Sequence, residues 1–253
     1  MQYAAQRWGL ARWLYGQEGK ALLAYEQTVS RHVDKSFFVS APEAALFKCR
    51  ANEEIGDVSY FCNGVDAQYF KSDPDRWCPY SKNARVLVFT GAMDYAPNVE
   101  AVSFFAKQVF PQLRAHHSLL QFWIVGSNPT PEVRSLSSID GICVSGRVPD
   151  VRPYLQHALA AVAPMKIARG IQNKVLEALA MGIPVLASEE ALTGIEVPGS
   201  VDCPPHGSVS EYAESVDALI AHGDHGAMNR RREWIESEFS WAARLSPVLE
   251  ALR

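Results

Sequence analysis

A group of charged, amide and glycine residues stands at the start of a predicted helix in the segment IARGIQNKVLEALAMGIPVLAS (residues 167–188). The residues that could do chemistry there are Arg169, Gly170, Asn173, Lys174 and Glu177. A helix N-terminus offers backbone N–H groups to an anion, and a glycine lets the anion approach the backbone closely. Arg169 and Lys174 would add charge-assisted hydrogen bonds. The pattern therefore predicts a site for a diphosphate.

Glu177 follows Lys174 by three residues, which places both side chains on one side of a helix. A carboxylate in that position is suited to accept hydrogen bonds from the hydroxyl pair of a ribose. The same spacing is also typical of an exposed Lys–Glu pair on a solvated helix. The spacing by itself leaves both interpretations open.

Two more residues at predicted strand ends could belong to the same site. Gly91 follows the apolar run RVLVFT and would let a loop pass close to the phosphates. Arg147 follows Ser145-Gly146 and could line a base pocket through its backbone. Taken singly, a turn glycine and a surface arginine are the simpler interpretations. Their expected convergence with Lys174 on one edge of a sheet supports the site.

The elements that must position these residues alternate regularly from Arg85 onward. The predicted strands are RVLVFTG, LLQFWIVG, GICVSGRV, ALAAVAPM and IPVLAS, with helical patterns between them. Over residues 96–116 the apolar residues recur every three to four positions, as on one face of a helix. This alternation predicts an α/β fold with a doubly wound parallel sheet, whose ligands bind at the carboxyl ends of the strands.

The part of the chain before residue 73 has a different pattern. It reads as a helix over residues 1–33, a strand in DKSFFVS, a helix in APEAALFKCR and a strand that ends near Asn63-Gly64. Residues 73–84 are polar, contain two prolines and lack periodicity, which is typical of a linker. We therefore expect an incomplete amino-terminal α/β domain over residues 1–72, a linker over 73–84 and a second domain over 85–253.

Composition excludes several classes of protein. The net charge of −4 and the pI of about 6.0 give no electrostatic footprint for nucleic acid. No apolar run is long enough to span a bilayer, and no signal-peptide pattern is present. The five cysteines form no C-x-x-C pair, and no Cys or His pair has the spacing of zinc ligands. We expect a reduced, cytoplasmic protein.

Aromatic and basic residues cluster in the first predicted helix, at Arg7, Trp8, Arg12, Trp13 and Tyr15. Such a cluster is compatible with peripheral contact to a membrane surface. It is also typical of a helix that packs against a neighbouring domain, and we expect packing.

Three segments resemble the donor-binding, carboxyl-terminal half of retaining GT-B glycosyltransferases. These are FTGAMDYAPNVEAV, SGRVPDVRPYL and the segment of residues 167–188, and the likeness covers most of residues 85–253. It is nearest to the group 1 sugar transferases of bacterial exopolysaccharide clusters, including those associated with exosortase systems. Upstream, RWLYGQEGKALLAYEQ, SFFVSAPEAALF and NGVDAQYF are similar to the last portion of the amino-terminal domain of such enzymes.

The resemblance implies transfer of a sugar from a nucleotide diphosphate to a glycan or lipid-linked acceptor, with retention of anomeric configuration. It implies a site at the inner face of the membrane, no metal and no cofactor, since the sugar nucleotide is a substrate. Glu177 matches the second glutamate of the family's Glu-x7-Glu signature, and Lys174 lies where the helix meets the diphosphate. Gly91 matches the glycine-rich donor loop, and Arg147-Val148 the strand end near the base.

Two departures from the family pattern bear on the site. Arg169 stands where the first glutamate of the signature is expected, so the sugar contact of that glutamate is not expected here, and an arginine could bind phosphate instead. The usual cation of the first donor loop is absent from Gly91-Ala92-Met93-Asp94, which gives Arg169 and Lys174 a larger part in binding phosphate.

GT-B enzymes have two Rossmann-like domains, so the resemblance implies a truncated chain whose catalytic residues lie in the missing amino-terminal domain. The alternative is a noncatalytic nucleotide-binding module or a partner subunit without turnover. A dinucleotide-dependent oxidoreductase is a weaker alternative, because no G-x-G-x-x-G follows a strand.

Overall fold

The computed structural model describes residues 10–51, 54–168, 170–224 and 226–252. The chain forms two compact units. One contains the described residues up to Cys62 together with those from Leu245, and the other spans Asn63–Arg244. No helix within the described ranges is long and apolar enough to cross a bilayer.

The first unit is a small α/β layer. Its elements in chain order are α1 (Leu10–Arg31), β1 (Lys35–Phe38), α2 (Ala41–Arg50), β2 (Asp57–Tyr60) and a last helix over Ser246–Ala251. Strands β1 and β2 pair in parallel, and Ala44, Phe47 and Val58 form the buried core between α2 and the strands. The strand and helix predictions for DKSFFVS and APEAALFKCR are therefore confirmed.

The aromatic cluster predicted in the first helix is described only in part. Arg7 and Trp8, and the side chains of Arg12 and Tyr15, lie outside the described residues. The side chain of Trp13 is 60% exposed.

The second unit is built on one five-stranded sheet. Its strands are β3 (Arg85–Thr90), β4 (Leu120–Val125), β5 (Ile142–Gly146), β6 (Ala160–Ala163) and β7 (Val185–Ala187). They lie in the order β5-β4-β3-β6-β7, and every neighbouring pair is parallel. Strands β3 and β6 are almost wholly apolar because a parallel sheet is covered on both faces. The predicted doubly wound α/β fold is confirmed.

Helices connect and cover these strands. They are α3 (Ala96–Phe104), α4 (Phe110–His116), α5 (Pro131–Ser135), α6 (Arg152–Gln156), α7 (Asn173–Ala180), α8 (Val209–His222), α9 (Ala227–Glu238) and α10 (Trp241–Arg244). The helix predicted over residues 96–116 is continuous, but a π-helical turn over Phe105–Val109 separates α3 from α4. Pro111 has no amide hydrogen for the carbonyl of Lys107, which explains the wider turn before it.

Residues 73–84, which were predicted to form a linker, belong to the second unit, because the boundary between the two units falls after Cys62. The backbone N–H of Asp73 donates to Gln156 Oε1 at 2.9 Å, and the hydroxyl of Tyr80 donates to the carbonyl of Tyr154 at 2.7 Å. Tyr80 is also buried against the ring of Trp123. A polar, proline-containing segment can satisfy its hydrogen bonds on a folded surface, and this one does so within the second unit.

Candidate functional site

The site lies where the order of the sheet reverses. From β3 the chain continues outward through β4 and β5, whereas β6 returns to the other side of β3 and continues to β7. The loops that follow β3 and β6 therefore diverge at one edge and leave a crevice between them. Ligands of open α/β sheets bind at such switch points.

Glycines end the three strands on one side of this crevice. The N–H of Gly91, after β3, donates to the carbonyl of Val125 at 3.1 Å, and the N–H of Gly126, after β4, donates to Gly146 at 3.2 Å. The hydrogen-bonded ladder thus extends one residue beyond β3 and β4. This edge presents backbone to the crevice.

Two of these glycines are required by close contacts. A Cβ atom on Gly126 would lie 1.6 Å from the carbonyl oxygen of Gly91, so the two loops touch backbone to backbone. A Cβ on Gly91, whose φ is +155°, would lie 2.7 Å from Nδ2 of Asn98. A larger residue at either position would push the loops apart.

A cavity of about 530 Å³ opens over these glycines. Its lining comes from the ends of β3, β4 and β5 and from the start of α7, namely Thr90, Gly91, Tyr95, Asn98, Val125, Gly126, Ser127, Arg147, Val148, Val151, Ile171, Gln172, Asn173, Lys174 and Glu177. One pocket therefore collects residues from four separate loops.

Five of the seven predicted site residues line this cavity, namely Gly91, Arg147, Asn173, Lys174 and Glu177. Gly170 does not line it; this residue adopts a left-handed φ of +63° and its carbonyl accepts a hydrogen bond from Gln172 Nε2 at 3.3 Å. Gly170 thus shapes the loop before α7. Arg169 lies outside the described residues.

Helix α7 presents its polar residues to the cavity because its other residues are buried. Val175, Leu176, Ala178, Leu179 and Ala180 are all buried in the second unit. Asn173, Lys174 and Glu177 occupy the remaining face and reach the cavity. Apolar spacing in the sequence is enough to orient this helix.

The ammonium group of Lys174 has an oxygen, a sulfur and an aromatic ring around it. Nζ donates to Oδ1 of Asn98 at 2.7 Å and lies 3.8 Å from Sδ of Met165. It also lies 4.7 Å from the ring centroid of Phe89, a cation–π distance. All three partners are uncharged, so they hold the ammonium without neutralising it.

Burial alters the ionisation of both charged groups on α7. Desolvation lowers the pKa of Lys174 to about 8, although the nearby carboxylate of Glu177 acts in the opposite direction. Burial likewise raises the pKa of Glu177, and Lys174 counteracts this only in part. Two ionisable groups with perturbed pKa values in one cleft are typical of a binding or catalytic site. The exposed Lys–Glu pair that the spacing also permitted is excluded by their burial.

Sequence reasoning missed Asn98, Tyr95 and Asn63. Asn98 is only 5% exposed and binds Lys174, while Tyr95 lines the cavity beside it. Nδ2 of Asn63 donates to Oδ1 of Asn173 at 3.2 Å. Asn98 and Tyr95 fall within FTGAMDYAPNVEAV, so the segment was singled out but these two residues were not.

The arrangement suits an anion attached to a polar ring. Backbone N–H groups at the start of α7 and the ammonium of Lys174 can bind phosphate oxygens. The carboxylate of Glu177 can accept hydroxyl hydrogen bonds, and Val148 and Val151 give the far wall an apolar surface. Among the residues described, no group of three or more His, Cys, Asp or Glu side chains could hold a metal ion.

The match to a known family covers this pocket. Residues 84–222, more than half of the chain, match the glycosyl transferases group 1. The fold and the switch-point cleft define a Rossmann-like α/β domain of the GT-B type, and the chain belongs to the group 1 glycosyltransferase family. No curated protein matches the chain.

Solved structures of glycosyltransferases share the fold at low sequence identity. Sucrose-phosphate synthase from Thermosynechococcus elongatus aligns with a TM-score of 0.69 and 18% identity over 92% of this chain and 61% of its own. HepE from Anabaena, in complex with UDP, aligns with a TM-score of 0.69 and 13% identity over 91% of this chain and 66% of its own. TarM aligns with a TM-score of 0.70 and 11% identity over 91% of this chain and 45% of its own. This chain therefore spans between 45% and 66% of the length of these three proteins.

Proposed function

We propose that the cavity binds the nucleoside diphosphate of a sugar donor, and that the protein takes part in transferring that sugar to a glycan or lipid-linked acceptor. The observation that carries the proposal is the meeting of Gly91, Lys174 and Glu177 in one cavity at the switch point. Membership of the group 1 glycosyltransferases supports it. So do the HepE structures in complex with UDP and with UDP-glucose.

Each residue has a role that its chemistry allows. Lys174 and the first-turn N–H groups of α7 hold the diphosphate, and the glycine loop gives it room. Glu177 accepts hydrogen bonds from the ribose hydroxyls. Arg147 and Val148 line the cavity at the end of β5, where their backbone can contact the base.

In the proposed transfer the bond between the anomeric carbon and the diphosphate oxygen breaks, and an acceptor hydroxyl oxygen forms the new glycosidic bond. The hydroxyl releases its proton to solvent, and the nucleoside diphosphate leaves with the electron pair of the broken bond and the negative charge. Lys174 stabilises that charge, since an ammonium interacts more strongly with the departing diphosphate than with the intact ester. By family resemblance we extend the proposal to retention of configuration, a role in exopolysaccharide synthesis at the inner face of the membrane, and no requirement for metal.

The test is thermal unfolding of the chain in the presence of UDP, GDP, ADP or NAD. A ligand at a hundred times its dissociation constant adds roughly 2.7 kcal/mol, which is easily seen in the midpoint. We expect one nucleoside diphosphate to stabilise the chain and Lys174→Ala and Glu177→Ala to abolish the effect. Lys82→Ala and Glu214→Ala, at exposed positions of the second unit, are the matched controls. No shift with any diphosphate, or a shift with NAD alone, contradicts the proposal.

One observation favours the noncatalytic alternative, which is the arginine at position 169 in place of a signature glutamate. That alternative predicts donor binding without turnover. Release of free nucleoside diphosphate from the matching sugar donor separates the two, because hydrolysis or transfer releases it and binding does not.

A further inference from the structure

Asn98 joins the two sides of the donor pocket. It lies in the first turn of α3 and is 5% exposed. Nδ2 donates to the carbonyl of Ala92 in the glycine loop at 2.9 Å, while Oδ1 accepts a hydrogen bond from Nζ of Lys174 at 2.7 Å. Both ends of the amide are therefore used, one on each side of the cleft.

The contact with the glycine loop is close as well as hydrogen-bonded. A Cβ atom on Gly91 would lie 2.7 Å from Nδ2 of Asn98, so the loop is seated directly on the amide. If Asn98 were displaced, the carbonyl of Ala92 would lose its hydrogen bond, and the loop would no longer be held in place over the cavity.

The contact with Lys174 orients an ammonium without cancelling its charge. An ammonium has three donors, and Asn98 supplies an oxygen acceptor for one of them. Phe89 and Met165, its other neighbours, are uncharged. Glu177, three residues further along the same helix, is the titratable group that acts on the pKa of Lys174, and these two described residues do not form an ion pair within 4.0 Å.

Few side chains could meet both requirements. Aspartate has the size of asparagine but only accepts hydrogen bonds, so it would face the carbonyl of Ala92 unfavourably and pair with Lys174 as a counter-ion. Serine is shorter and leucine has no polar atom. An amide at position 98 is the group that both anchors a carbonyl and leaves the lysine free to attract a diphosphate.

We propose that Asn98 is a positioning residue that sets the glycine loop and the Lys174 ammonium for binding the donor diphosphate. The inference rests on the proposed function of the pocket. It goes beyond donor binding in one respect: the ionisation of Lys174 must depend on residue 98 in the ligand-free protein.

The first measurement reads that dependence without a donor. Competitive acetylation of Lys174 across a pH series, followed by peptide mass spectrometry, reports the pH at which its amine becomes reactive. Since burial among uncharged partners lowers the pKa of Lys174 to about 8, we expect the wild-type midpoint near that pH. In Asn98→Asp the new carboxylate stabilises the ammonium, so the midpoint moves to higher pH. An unchanged midpoint would overturn the inference.

The second measurement is calorimetric titration with whichever of UDP, GDP and ADP stabilises the wild type. At pH 7 we expect Asn98→Asp and Asn98→Ala to weaken binding by roughly tenfold to a hundredfold, the worth of one charged hydrogen bond. Wild-type affinity should fall by roughly tenfold per pH unit above the pKa of Lys174, and in Asn98→Asp this fall should begin at higher pH. Gln112→Ala, which truncates an exposed amide on α4, is the matched control and should bind like wild type.

The outcomes separate this inference from the function on which it rests. If Lys174→Ala abolishes diphosphate binding but both Asn98 variants fold and bind like wild type, the positioning role is wrong and the donor pocket stands. If the wild type binds no nucleoside diphosphate, both proposals fall together.

Discussion

The two sides of the pocket are built on opposite principles. The strand side (Gly91, Gly126 and Gly146) offers backbone and is defined by the absence of side chains. The helix side (Asn173, Lys174 and Glu177) offers charged and amide groups that the fold partly buries. Close packing of the glycine loops stabilises the folded state on the strand side, whereas burial of charged groups on the helix side destabilises it.

This difference indicates which changes in the domain should affect both stability and binding and which should affect binding alone. A change at Gly91 or Gly126 should damage the fold and the site together, because these two loops touch through their backbones. A change on the helix side should damage binding while leaving or improving stability, as is common where a site holds desolvated charges.

The largest effect is expected from Gly126→Ala. The added Cβ would lie 1.6 Å from the carbonyl oxygen of Gly91, so the backbone of one loop must move. We expect the free energy of unfolding of the second unit to fall by about 3 kcal/mol or more, with loss of diphosphate binding. Urea unfolding and calorimetry measure the two effects.

Gly146→Ala is the control from the same side of the pocket. This residue adopts a left-handed φ of +69°, which Gly126 does not, and its Cβ would meet no heavy atom within 4 Å. We expect a loss of only about 1 kcal/mol, the cost of that backbone conformation. A loss at Gly126 no larger than the loss at Gly146 would contradict the claim that contact between the loops makes glycine necessary at position 126.

On the helix side, Glu177→Gln should separate binding from stability. The amide keeps the shape but accepts ribose hydrogen bonds less strongly, so we expect about tenfold weaker diphosphate binding. Burial raises the pKa of Glu177, so its ionised form disfavours the folded state, and the variant should gain about 0.5–1 kcal/mol of unfolding free energy at neutral pH.

The sign of that gain can be checked with pH. Below the ordinary glutamate pKa of 4.5 the side chain is protonated in both folded and unfolded chains, so the difference between variant and wild type should vanish. A stability difference of the same size at low and neutral pH would contradict this account of the helix side.

The smallest effect concerns a buried group outside both sides of the pocket. His206 is 2% exposed, stacks on Tyr212, and its Nε2 lies 2.8 Å from Oγ of Ser215. Burial lowers its pKa, so the unfolded chain takes up the proton first as the pH falls below about 6.5, and stability should decrease there. His206→Gln should flatten the dependence of the unfolding midpoint between pH 5 and 7, whereas His116→Gln, at an exposed position, should leave it in place.

Local signals predicted much of this domain. Apolar runs and helical periodicity predicted the five strands of the sheet and the helix over residues 96–116. The sequence pattern also singled out residues whose chemistry is unusual for their position, such as Lys174 and Glu177. The boundary between the two units was not predicted, because composition does not reveal the hydrogen-bond partners of residues 73–84.

Asn98 shows why part of the site could not be predicted. Its partner Lys174 lies 76 positions away, and an asparagine in the first turn of a helix has many ordinary roles. Only the folded chain shows that its amide is buried between a carbonyl and an ammonium.

The sequence by itself determined the class of fold, the apolar core and the charged start of α7, because these depend on residues close together in the chain. The tertiary structure alone decided the order β5-β4-β3-β6-β7, which places the loop after β3 beside the helix after β6. Strand order depends on contacts between distant segments, and no local pattern encodes those contacts. The pocket exists because that order brings the glycine loop and Lys174 to the same edge.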